Sequence, residues 1–149
     1  MKILVVEDDP LIREIAVTGL EDAGYEAIEA GCGGEALRLL QAGIAVDALV
    51  TDVRMPEANG WVVARAYRER FPDLPVLYVT GYSEQMQPVP GGIIIWKPYR
   101  MAQVVDVLAA WAAADLARET LIREAQDARV LAHARMILSR LKSRIPKPL

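Results

Sequence analysis

The chain has 149 residues, 53% of them hydrophobic and 25% charged, with a net charge of -3. That length supports one ordinary hydrophobic core with little left for a second, and no apolar run approaches the roughly 18 residues of a membrane span. The only cysteine, Cys32, has no partner for an internal disulfide, and no basic-then-apolar leader precedes Ile3, so a reducing, cytoplasmic setting is expected.

Ile3 to Val6 is a short apolar run of strand length, rich in β-branched residues and read as buried on both faces. Asp9 then stands as an N-cap with Pro10 at the first helical position. Ile12, Ile15, Ala16 and Leu20 carry helical spacing as far as Gly24. Glu26 to Ala30 alternates polar and apolar, as an edge strand does, and a helix around Glu35 to Gln41 stops at Gly43. Cys32 reads as a small loop or helix-start residue. A second apolar run covers Ala48 to Val50, a third helix covers Trp61 to Arg70 and ends before Pro72, and two more runs follow at Val76 to Val79 and Ile93 to Trp96. Strand alternating with helix predicts a parallel sheet with helices on both sides. Trp61, Trp96 and Trp111 read as packing residues, with lining of the rim beside Lys97 as the alternative for Trp96.

From Met101 to Ile145 the chain has neither glycine nor proline, so it is helix-competent throughout, as one rod or as two helices meeting near Asp115. Leu131, Ala134, Leu138, Leu141 and Ile145 follow steps of three and four, a narrow apolar seam. Charge changes along the chain: residues 128–149 hold six basic residues and no acidic one, giving +6 and leaving -9 for residues 1–127. Within that tail, His133 reads as a solvated helix position.

In a doubly wound sheet, ligands gather outside the carboxyl ends of the strands. Those ends carry Glu7 and Asp8, then Asp52, Thr80 and Lys97. Three acids on one rim repel one another unless a hard cation holds them, and Mg²⁺ takes one or two carboxylates together with phosphate oxygens. Asp8 and Asp52 are read as direct ligands, Glu7 as acting through water, and the backbone carbonyl of Arg54 as completing the protein's share. A carboxylate beside such an ion can attack a phosphoryl group, with Lys97 and Thr80 supplying a positive charge and a hydroxyl to its oxygens.

The stretches "ILVVEDDP", "TDVRMPEANG", "YVTG" and "WKPY" occur in an order that resembles the response-regulator receiver domain, the phosphoacceptor module of two-component signalling, over residues 2 to about 114. The resemblance implies a flavodoxin-like five-stranded parallel sheet of order 2-1-3-4-5. It also implies phosphate accepted on Asp52 from a histidine kinase or phosphotransfer protein, Mg²⁺ at Glu7 and Asp8, phosphoryl contacts from Thr80 and Lys97, and a cis Lys97-Pro98 bond. The family's aromatic three residues before the lysine is Ile94 here. Only 17 positions separate Thr80 from Lys97, and "SEQMQPVPGG" lies between them, so the fourth helix is expected to be very short or missing. "YVTGY" with "KPY" is similar to a subgroup of stand-alone receivers with Thr-Gly-Tyr after strand four, in which Tyr82 or Tyr99 would take over the aromatic switch role.

The expected organisation is a receiver domain over 1–114, a helical extension over 115–145 and a tail over 146–149. The expected function is a stand-alone response regulator that signals through protein contacts and is not a turnover enzyme. Phosphohydrolases with a nucleophilic aspartate place a second aspartate two residues later, where this chain has Arg54. The extension is read as a docking or self-association helix, with a homodimer as one form. Nucleic-acid binding is disfavoured because no helix-turn-helix unit fits after Ala114. The alternative is a phosphorylation-independent scaffold or nucleic-acid-binding regulator that works through the basic helix.

Overall fold

The four apolar runs and the alternating segment all form strands in the computed structural model, which describes residues 1–81 and 85–142, with side chains through residue 140. They are β1 (Lys2–Val6), β2 (Glu26–Ala30), β3 (Ala48–Thr51), β4 (Val76–Thr80) and β5 (Ile93–Trp96), joined in one parallel sheet of order β2-β1-β3-β4-β5. Between them run α1 (Pro10–Asp22), α2 (Gly33–Gln41) and α3 (Gly60–Arg70), and α4 (Met101–Lys142) follows β5. The central strands are apolar throughout because helices cover both faces. Every residue of β3 and β4 is buried, whereas β2 and β5, at the edges, are partly exposed.

Local chemistry sets the helix ends. The Asp9 carboxylate accepts from the N–H groups of Leu11 and Ile12 at 2.9 and 3.1 Å ahead of Pro10, and Gly24 leaves the helix with φ +88°. Helix α2 begins at Gly33, two residues earlier than its sequence signal, because the Cys32 sulfur accepts from the Glu35 N–H at 3.4 Å. Met101 to Lys142 is one continuous helix rather than two. The chain divides into two units, Met1–Ala109 and the part from Ala110 onward. In the first, Val104 and Leu108 bury the opening turns of α4, while Tyr67 and Tyr78 are the largest fully buried side chains.

No helix lies between β4 and β5 among the described residues. The connection is pinned instead by side chains. The Val89 N–H donates to the Tyr78 hydroxyl at 3.1 Å, and a Cβ on Gly92 would stand 2.9 Å from the Tyr78 ring. The Arg68 guanidinium donates to the carbonyls of Leu74, Pro72 and Pro90, tying this connection to the one before β4. Of the three tryptophans, Trp61 is 4% exposed and packs against Tyr78 with the rings tilted by 55° and their centroids 4.4 Å apart. Trp96 departs from its packing role: it is 50% exposed at the end of β5, an edge strand. No described helix is long and apolar enough to cross a membrane.

Candidate phosphoacceptor site

Parallel register aligns the strand ends. Val6 lies opposite Thr51 and Ala30, and Thr80 opposite Trp96, so the residues that follow leave the sheet at one level. The Asp52 N–H donates to the Val6 carbonyl at 2.9 Å, the Glu7 N–H to the Ala30 carbonyl at 3.1 Å, and the Lys97 N–H to the Thr80 carbonyl at 2.9 Å. These backbone bonds extend the ladder by one residue and bring four distant segments to one place.

There the Lys97 ammonium donates to Asp52 Oδ2 at 2.7 Å and to Glu7 Oε2 at 3.1 Å. One carboxylate oxygen each from Glu7, Asp8 and Asp52 lies within 4.8 Å of the others. Glu7 is buried, Asp52 half-buried and Asp8 exposed, so the cluster opens to solvent on the Asp8 side. Three carboxylates against one ammonium leave a charge of about -2, and all the donors are hard oxygens, which suits a hard divalent cation. Burial pushes the Glu7 carboxyl above the ordinary glutamate value, although the Asp9 N–H and Lys97 pull it back. Burial pulls the Lys97 ammonium down, but its hydrogen bonds to Asp52 and Glu7 more than reverse this, and its pKa ends above the usual lysine value.

Thr80 is buried at the end of β4, and Tyr99 is half-buried. Burial raises the Tyr99 phenol, which also feels the charges of Lys97, Glu7 and Asp52 and lines a small cavity with the two carboxylates. The Lys97-Pro98 bond before it is cis. Arg54 lies two residues beyond Asp52 and is exposed. Tyr82 lies outside the described residues. Beside the rim, Ile12, Ile15, Pro98, Tyr99 and Met101 line an apolar cavity of about 570 Å³.

Two supports of the site carry no obvious signal in the sequence. Arg13 donates to the Glu7 carbonyl at 2.7 Å and to Glu29 at 3.2 Å, clamping the end of β1 from the first turn of α1. Gly60 packs so close that a Cβ there would collide with the Asp52 carbonyl oxygen, while its N–H donates to the Val53 carbonyl at 2.9 Å. The Asn-Gly pair at 59–60 reads from sequence only as a turn. Its proximity to the Asp52 backbone depends on the loop folding back.

A family model described as the response regulator receiver domain matches residues 3–91. The chain is 40% identical over 83 residues to the sensor kinase CckA of Brucella abortus, covering 55% of this chain and 9% of that protein. It is 36% identical over 107 residues to the chemotaxis protein CheY1 of Helicobacter pylori, covering 66% of this chain and 86% of that protein. The crystal structure of the response regulator TrrA of Thermotoga maritima, in complex with Mg²⁺ and BeF, superposes with a TM-score of 0.65 at 28% identity over 73% of this chain and 96% of that one.

Proposed function

The chain belongs to the response regulator receiver domain family, and from that premise we propose that it is a two-component phosphorylation switch whose Asp52 accepts a phosphoryl group from a histidine kinase or phosphotransfer protein. The observation that carries this reading is the Lys97 ammonium held between Asp52 and Glu7, with Asp8 beside them, at the carboxyl end of the sheet. Mg²⁺ goes with it: Asp8 and Asp52 would bind directly, Glu7 through water, and the Arg54 carbonyl would take a further position. When bound, such an ion shields incoming phosphoryl oxygens from the carboxylates. The Mg²⁺–BeF complex of the TrrA relative supports that assignment.

In the transfer, an Asp52 oxygen bonds to phosphorus while the donor's imidazole nitrogen leaves with the electron pair of the broken N–P bond. Lys97 moves its hydrogen bond from Asp52 to a phosphoryl oxygen, and the Thr80 hydroxyl donates to another. Thr80, with Tyr99 or Tyr82, is assigned the switch, since a contact made only in the phosphorylated state biases one of two loop arrangements. The apolar cavity from Ile12 to Met101 is the surface we assign to the incoming donor. With Arg54 where a phosphohydrolase needs an acid, the chain assists its own phosphorylation and slow hydrolysis without turning over a substrate. A cytoplasmic location goes with phosphohistidine donors, and the similarity to most of CheY1 supports a stand-alone role.

Residues 1–114 are assigned to the receiver, and the helix beyond to contacts with a partner or a second copy of the chain. Exposed apolar residues along that helix favour, as a second reading, a scaffold that works without phosphorylation. Labelling with acetyl phosphate or a kinase, read on a phosphate-affinity gel, separates the two. Asp52→Asn is expected to lose all label, and full retention of label in that variant refutes the assignment.

A further inference from the structure

Every residue from Ala113 to Arg140 is exposed, within one unbroken helix. Eight large apolar side chains stand out from that segment, from Leu116 to Leu138, each at least 43% exposed. Most helix stability in proteins comes from packing an apolar face rather than from propensity, and a row of exposed apolar side chains marks an interaction surface. Something therefore covers this one.

The charge pattern says what. Residues 110–127 carry Asp115, Glu119, Glu124 and Asp127 against Arg118 and Arg123, for -2, whereas residues 128–142 carry only basic charge, for +4. Two copies laid parallel in register set the basic halves side by side. Two copies laid antiparallel set each basic half against an acidic one, and also oppose the helix dipoles.

The seam repeats the argument residue by residue. Steps of three and four through Leu131 and Leu138 extend back to Leu121 and Ala114, and pass through Glu124 and Arg135. This row shares Leu131 and Leu138 with the seam read from sequence but takes Arg135 where that seam takes Ala134; of the sequence seam, Leu131, Ala134 and Leu138 are exposed, while the Leu141 side chain and Ile145 lie outside the described residues. A parallel pair forces Glu124 against Glu124 and Arg135 against Arg135 inside the seam. An antiparallel pair centred near residue 126 sets them against Ala128 and Ala117, brings Leu121 onto Leu131, and fits Ala114 opposite Leu138, small against large.

We propose that the helix from Ala110 to Lys142 binds a second copy of itself antiparallel, forming a two-stranded coiled coil centred near Gln126. At 1.5 Å per residue the paired segment is roughly 50 Å long. This rests on the reading of the helix as a contact element and is independent of phosphoryl transfer to Asp52, because no residue of the acidic cluster lies in the seam.

The test uses the full chain. Light scattering on the unaltered protein is expected to give twice the chain mass, the same before and after acetyl phosphate treatment; a monomer overturns the proposal. Orientation is read in a Cys32→Ser background, where serine keeps the α2 cap, with Ala114→Cys and Leu138→Cys as separate proteins. Mixed and oxidised, they are expected to cross-link to each other, and each alone to stay uncross-linked. Self-cross-linking of either protein alone means a parallel pair and overturns the proposal. Label on Asp52 is measured separately, so failure of the phosphoacceptor reading leaves this result standing, and the reverse.

Discussion

The acidic rim and the C-terminal helix break the usual burial rule in opposite directions. At the rim, Glu7 is 6% exposed although charged groups belong in water, and it persists there because Lys97 and the Asp9 N–H partner it. Along the helix, Leu116, Leu121, Val130 and Leu131 are 60–67% exposed although apolar groups belong inside. Both regions are costly in isolation, and each underlies one of the two proposals. The rim, whose surplus is negative charge, calls for a cation and a phosphoryl group. The helix, whose surplus is apolar surface, suits the proposed second helix.

The strongest way to break that contrast is to remove the Lys97 ammonium from the rim. Lys97→Met leaves Glu7 and Asp52 facing each other without the ammonium between them. Loss of a charge poised for the transition state is expected to slow phosphorylation about 100-fold or more, as for other electrostatic stabilisers. Because the lysine side chain is only 23% exposed and its two carboxylate partners less still, a loss of stability accompanies the loss of rate. Stopped-flow labelling with acetyl phosphate measures the rate. A variant labelled as fast as the parent removes Lys97 from the chemistry.

Behind the rim, Tyr67 sharpens the same point with a neutral group. Its hydroxyl donates to the Ala36 carbonyl at 2.9 Å, and burial pushes the phenol from 10.0 to about 12. Because the folded state holds this proton more tightly, the associated stability is complete below pH 10 and is lost as pH rises toward 12, roughly 2–3 kcal/mol in all. Tyr78 and Lys97 are also shifted upward and act in the same direction, so the difference between parent and variant is the quantity to read. Urea titrations from pH 9 to 12 are expected to show a shallower alkaline decline in Tyr67→Phe. Identical declines would mean that the phenol ionises equally in both states.

Third in size is the close approach of two backbones. Gly60→Ala drives a methyl group into the Asp52 carbonyl, and neither main chain can yield without moving the acid; a loss of about 1–3 kcal/mol is expected, as for overpacked cores. Gly24→Ala, where a Cβ meets open space and only the φ of +88° is at stake, is the comparison. If Gly60→Ala also slows labelling while Gly24→Ala does not, the glycine positions the acid as well as packing the loop.

These cases mark how far the sequence could be read. Strands, helix order and the rim followed from local signals: β-branched runs, the Asp9-Pro10 start, and polar residues at each strand's end. Arg13 reaching the Glu7 carbonyl, Gly60 against Asp52, and Arg68 binding three carbonyls of two connections were illegible because each depends on where remote backbone ends up. Trp96 was misjudged for a related reason. An aromatic ending an apolar run looks like core until the strand proves to be an edge. One rod or two could not be decided at 101–145, since a stretch without glycine or proline accepts both, and only the folded chain shows Met101–Lys142 continuous.

The smallest expected effect closes the comparison from the helix side. Leu121→Ser and Leu131→Ser remove apolar atoms that no other described part of the chain buries, so in dilute protein they are expected to change unfolding of the receiver by less than about 0.5 kcal/mol. If the exposed leucines meet those of a second copy, the same substitutions weaken association, and the apparent stability of the parent but not the variants rises with protein concentration, as mass action requires. Thermal scans over a hundredfold range of concentration read this directly. A concentration-independent midpoint in the parent, together with a large loss in the variants, would mean that the leucines pack within their own chain, and the contrast between rim and helix would then reduce to one rule of burial.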